Sequence, residues 1–131
     1  MRLSRVSGAV VIATLACHFG ATVERFAPAT RPEGVAATLT LLGGAECNGE
    51  LLAVQDTALV VLARDTVTLV SYGAIFRARF SEVGPLLATP PAPDIARRLR
   101  LLSRFPQGIT PDLLARLLAA QGQSALKVVA R

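Results

Sequence analysis

Cysteine, histidine and aromatic side chains are scarce in this chain, and no apolar run is long enough to cross a bilayer. Its 131 residues hold two Cys, one His, one Tyr, five Phe and no Trp. Two cysteines exclude a disulfide-rich scaffold, an all-cysteine zinc site and an iron–sulfur cluster. His18 is the only imidazole, so any Ser-His or Cys-His nucleophile pair would have to draw its base from an irregular segment that is a poor place to preorganise one. The length excludes a two-domain cofactor enzyme. With 52% hydrophobic and 18% charged residues, the chain is too apolar to be disordered and too interrupted by charge to span a membrane repeatedly.

What charge there is sits at the ends. Arg2 and Arg5 give residues 1–23 a formal +2, whereas five Arg against seven acids leave residues 24–93 at −2. Residues 94–131 carry six Arg and Lys127 against Asp94 and Asp112, for +5. Lys127 is the only lysine, so this basicity is first a compositional preference for arginine and second a candidate for phosphate recognition.

The basic start Met1–Arg5 is followed by the apolar stretch Val6–Ala16. Eleven helical residues rise about 16 Å, roughly half a hydrocarbon core. That pattern suits the basic and apolar regions of a secretory signal peptide; the alternative is a buried apolar segment of a cytosolic protein. The stretch ends in Thr14-Leu15-Ala16-Cys17, which resembles the lipobox of bacterial lipoproteins. The resemblance implies removal of residues 1–16, lipidation of Cys17 and a membrane anchor in the cell envelope, facing the periplasm. His18 stands where an Asp would imply retention at the inner membrane, which tilts the expectation toward the outer one. Residues 17–34, rich in Ala, Thr, Pro and Gly, read as a tether.

From Val35 the apolar period becomes two. Val35, Ala37, Leu39 and Leu41 alternate with Ala36, Thr38 and Thr40, as suits a half-buried strand. Gly43-Gly44 and Asn48-Gly49 punctuate a turn, with Cys47 and Glu46 inside it. Glu50–Gln55, Ala58–Ala63, Thr66–Tyr72 and Ile75–Phe80 follow, parted by Asp56-Thr57, Arg64-Asp65 and Gly73-Ala74. Five strands joined by minimal turns pair as an antiparallel meander, and so short a sheet leaves costly edges unless it curls closed. The expectation over 35–83 is a small SH3-type barrel.

The spacing Gly49-Glu-Leu51-Leu52-x-Val54-x-Asp56-x-x-Leu59-Val60-x-Leu62, then Val70-x-Tyr72-Gly73-Ala74-Ile75, resembles the Sm-like barrels. Their RNA pocket asks for Asn where this chain has Val60, and for Arg where it has Tyr72. The resemblance therefore implies the shape without the nucleotide-binding groups.

Thr89–Pro93 reads as a stiff spacer within an 84–93 linker that opens a basic helical tail, 94–131. Asp94 is placed to cap a helix running to about Phe105, with Ile95, Leu99 and Leu102 as its apolar stripe. Thr110-Pro111 is placed to start a second helix through Leu113, Leu114, Leu117 and Leu118, stopping at Gly122; Ala125–Ala130 suits either a strand or a frayed helix. The expected architecture is thus mainly β with an α tail: a five-stranded SH3/Sm-like barrel followed by a helical hairpin. The leucine faces would pack on the barrel or on an envelope protein partner. Arg97, Arg98, Arg100 and Arg104 form either a solvated face, a contact to anionic lipid headgroups or a nucleic-acid contact; no aromatic interleaves with them to stack bases.

No residue pattern points to catalysis, a cofactor or a metal. Glu46 and Glu50 flank a turn and lack acid–base geometry, Gly43-Gly44 lacks the Lys-Ser/Thr end of a phosphate loop, and His18 and Cys47 lack zinc spacing. Cys47 reads as a half-buried bystander or a lone reactive thiol. The expectation is a non-catalytic, exported and lipid-anchored envelope protein with no identified small-molecule substrate; the alternative is a cytosolic Sm-like nucleic-acid binder.

Overall fold

The computed structural model describes residues 33–131. The expected signal peptide 1–16, Cys17 and nearly all of the 17–34 tether lie outside the described residues. Within them the chain is mainly β with two helices, the class expected from its patterning.

Strands β1 (Ala36–Leu41), β2 (Glu46–Val54), β3 (Ala58–Ala63) and β4 (Thr66–Ser71) form a meander, and a 3-10 turn at Tyr72–Ala74 leads into β5 (Ile75–Phe80). The strand alternative for Ala125–Ala130 is realised as β7 (Lys127–Val129), and with one further short strand not expected from the sequence, β6 (Gly84–Pro85), it completes one sheet of order β6-β5-β1-β2-β3-β4-β7. Only β7 runs parallel to its neighbour. Although three residues separate β4 from β5, β5 pairs with β1 at the far side of the meander. The sheet therefore rolls until its ends approach, yet it does not close into the expected barrel. Instead of meeting each other, β5 is edged by β6 and β4 by β7, a second way to cover exposed strand edges. The Gln123 side chain continues that cover: its amide donates to the Val67 carbonyl and accepts from the Val67 N–H, as a backbone partner would.

The Asn48-Gly49 pair lies inside β2 and not in a turn. Gly49 faces Ala37, and a Cβ there would sit 2.0 Å from the Leu62 carbonyl oxygen. This glycine permits close strand approach. The β1–β2 turn falls earlier, at residues 42–45, where Gly44 has φ +90°.

Two β-bulges shape the faces. Leu52 is the extra residue between the Leu51–Val61 and Ala53–Val60 pairs, and Phe76 is the extra residue between the Leu41–Ile75 and Thr40–Arg77 pairs. The first cluster lines the concave side of the roll: Val35, Leu39, Leu51, Leu59, Val61, Val70, Ile75, Phe80 and, from the tail, Leu99. The second lies on the opposite side of β2–β4: Leu52, Ala53, Val60 and Val67 beneath Leu114, Leu117 and Leu118.

Helix α1 (Pro93–Leu102) thus closes one cluster and helix α2 (Pro111–Ala120) the other. They pack on different sides of the sheet and not as the expected hairpin. Asp94 lies within the first turn of α1, which has no side-chain cap. The helix stops at Leu102, short of Phe105, because the next residues are committed elsewhere. The Leu102 carbonyl accepts from Val35, and the Arg104 and Phe105 N–H groups donate to the Leu51 and Leu52 carbonyls at the bulge. Helix α2 starts as expected, with Thr110 accepting from the Leu113 N–H, and ends before Gly122 at φ +68°.

Candidate functional site

The four tail arginines singled out by spacing do not act together. Arg104 forms a two-pronged pair with Glu50, Nε to Oε2 at 2.5 Å and Nη2 to Oε1 at 2.7 Å, and the same carboxylate accepts from the Gly34 N–H at 2.8 Å. Arg98 reaches back to donate to the Glu82 carbonyl at 2.9 Å. Arg98 thereby ties α1 to the turn between β5 and β6, and Arg104 ties the segment after α1 to β2. Arg97 and Arg100, three residues apart on α1 and so on one face of it, turn instead into an open cleft.

That cleft is framed by Gln55 and Asp56 of the β2–β3 turn, by Tyr72, by Pro90, Pro91 and Pro93, and by Ala96, Arg97 and Arg100 of α1, around a volume of about 290 Å³. The size is at the small end for ligand pockets. Each wall has a local cause. Pro93 opens α1 and places Ala96, Arg97 and Arg100 along its first turns. The tight Gln55–Thr57 turn presents Asp56, and the Thr57 carbonyl accepts from Tyr72, which fixes the start of the 3-10 turn.

The cleft is mixed in polarity. Tyr72 is only 6% exposed and its hydroxyl donates weakly to the Gln55 carbonyl at 3.4 Å. Burial holds its phenol above the usual range, Arg100 pulls it down and Asp56 pushes it up again. Arg100 lies 3.7 Å from the Asp56 carboxylate, whose side chain is 98% exposed. An ion pair of that kind is worth about 0–1 kcal/mol and is easily exchanged. Among the described residues Arg97 has no partner.

Of the two positions that the Sm-like resemblance singles out, Val60 lies beneath α2 in the second cluster, while Tyr72 packs in the first and presents its remaining surface to the cleft. Cys47 is not in a turn but in β2 opposite Leu39, half-buried, and burial raises its thiol pKa despite the nearby Lys127. Among the described residues no group of His, Cys, Asp and Glu is arranged to hold a metal ion, and no helix is long and apolar enough to cross a membrane. Cys17 lies outside the described residues.

Spacing alone missed Tyr72 and Asp56 as walls of one cleft, since only the rolled sheet brings the two turns beside α1. The available signal was the i, i+3 pair Arg97 and Arg100 directly after a proline run, with the only tyrosine of the chain at a strand end. Compared with protein-family models, curated proteins and solved structures, the chain matches none.

Proposed function

We propose that this chain is an exported cell-envelope protein, anchored in the membrane through a lipid on Cys17 and facing the periplasm, with a non-catalytic binding or structural role. The observation that carries the reading is the order Arg2, Arg5, the eleven-residue apolar stretch Val6–Ala16 and then Cys17. A cysteine at the end of an export segment is placed for acylation, and two or more acyl chains give a durable anchor where one does not. The fold is consistent with a tethered module, since both of its apolar clusters are covered by its own helices.

The rolled meander, with β5 returned beside β1, supports reading the sheet as a small SH3/Sm-like barrel left open between β4 and β5. Of the four tail arginines, Arg97 and Arg100 are the ones left to contact an anionic group, because Arg98 and Arg104 hold the fold together.

Intact-mass measurement of the native protein tests the reading. The expected result is loss of residues 1–16 with a lipid adduct on Cys17. A mature chain that still begins at Met1 overturns it and favours the cytosolic alternative, a nucleic-acid binder whose affinity falls steeply with salt.

A further inference from the structure

We infer that the cleft between the β2–β3 turn and α1 is a binding site for a small amphipathic oxyanion, a carboxylate or phosphate carried on a compact apolar body. Arg97 and Arg100 supply two guanidinium groups on one helix face, both lining the same cavity. Guanidinium forks bind carboxylate and phosphate oxygens with paired, charge-assisted hydrogen bonds, better than they bind neutral groups. Beside them the cleft is lined by Tyr72, Ala96 and three prolines, which suit an apolar body, and among the described residues no further cation and no metal-binding cluster lines it. The phenol hydroxyl has only a long bond to the Gln55 carbonyl and can turn to a better acceptor.

The charges facing the cavity are Arg97, Arg100 and Asp56. Asp56 is itself a carboxylate 3.7 Å from Arg100, so the chain already holds a stand-in for the ligand's head group there. An entering oxyanion exchanges with Asp56 at Arg100 and adds Arg97, which has no partner among the described residues. Hence the site has an internal competitor, and its removal strengthens binding. A purely structural Arg100–Asp56 pair does not have this property.

The site rests on the binding role proposed above but not on export, so the two readings fail separately. Intact mass decides the lipid anchor, and ligand titration of the purified protein decides the cleft. Tyr72 is the only tyrosine and there is no tryptophan, so the intrinsic ultraviolet fluorescence of the chain reports on one wall of this cavity.

The probes are hexanoate, butyl phosphate, inorganic phosphate and the neutral hexanamide, each titrated while tyrosine emission is followed. The expected result is a saturable change with hexanoate or butyl phosphate, at least about tenfold weaker binding of inorganic phosphate, and none with hexanamide. Arg97→Ala with Arg100→Ala weakens the binding about tenfold or more, and Asp56→Asn tightens it severalfold. A preference between hexanoate and butyl phosphate identifies the source as carboxylate or phosphate. Absence of a saturable change with either anion overturns the proposal. So does equal affinity in the double arginine variant, or Asp56→Asn that weakens binding. Circular dichroism of each variant confirms that its fold is kept.

Discussion

Glu50 shows how a single side chain decides where the tail lies. Its carboxylate accepts from the Arg104 guanidinium and from the Gly34 N–H, joining the segment before β1, the middle of β2 and the segment that follows α1. With the Glu50 side chain 16% exposed and that of Arg104 32%, the pair is partly screened, yet it is two-pronged and has little competition from water. Glu50→Gln keeps the shape and removes the charge, leaving Arg104 half-buried and unpaired. The expected loss is about 1–3 kcal/mol in urea denaturation, and a change below the error of the midpoint would show the pair to be ornamental. A second residue-scale consequence concerns alkaline pH. Burial raises the pKa of both Tyr72 and Cys47 in the folded protein. The unfolded chain therefore releases these protons first as pH rises. Their contribution is fully present below the ordinary thiol and phenol values and is lost as pH climbs through the raised ones. Stability should accordingly fall on the alkaline side, and Tyr72→Phe combined with Cys47→Ala should flatten that decline. Urea midpoints measured from neutral pH to beyond about pH 10 check it, and parallel declines in both proteins would refute it.

At the level of elements, the strands declared themselves through alternation. Val67 and Leu69 point to one cluster and Val70 to the other, as their period of two requires. The second helix was equally legible, because Thr110-Pro111 and Gly122 carry local start and stop chemistry. Three features were not. Asn48-Gly49 has turn composition, but the close approach of β3 to β2 at Leu62 outweighs it. The end of α1 is set by the Leu51 and Leu52 carbonyls, which are far away in sequence. The cleft joins residues 55–56, 72 and 90–100, whose proximity depends on a roll that no local pattern encodes. The β3–β4 turn shows the reverse case, correct in place but poor in composition. Arg64 and Asp65 both have positive φ, 51° and 60°, the conformation in which Asn-Gly is preferred and most L-residues are strained. Arg64→Asn with Asp65→Gly should stabilise the protein by about 1 kcal/mol, seen as a higher urea midpoint with an unchanged slope. Destabilisation by this pair would mean that the Arg64 or Asp65 side chain contributes more than its backbone costs.

Across the whole molecule, the question is whether two apolar clusters on opposite sides of one sheet behave as one unit. The chain between the helices couples them. Leu102 packs with the first cluster and Phe105 with the second, while the intervening backbone is bonded to Leu51 and Leu52, which also belong one to each. Removing α2 from the second cluster therefore disturbs the bulge that seats α1 over the first. Small domains with such shared contacts unfold in a single step. Leu117→Ala truncates a half-buried side chain of α2 that packs on the second cluster and should cost about 1–3 kcal/mol. Tyr72 lies in the first cluster, so its fluorescence and the far-ultraviolet dichroism report on different parts of the structure. Cooperative coupling requires Leu117→Ala to lower both urea midpoints by the same amount, even though the substituted side chain packs in the other cluster. If the dichroism shifts while the Tyr72 signal keeps its original midpoint, α2 is an independently melting cover, and the sheet with α1 is the true folding unit.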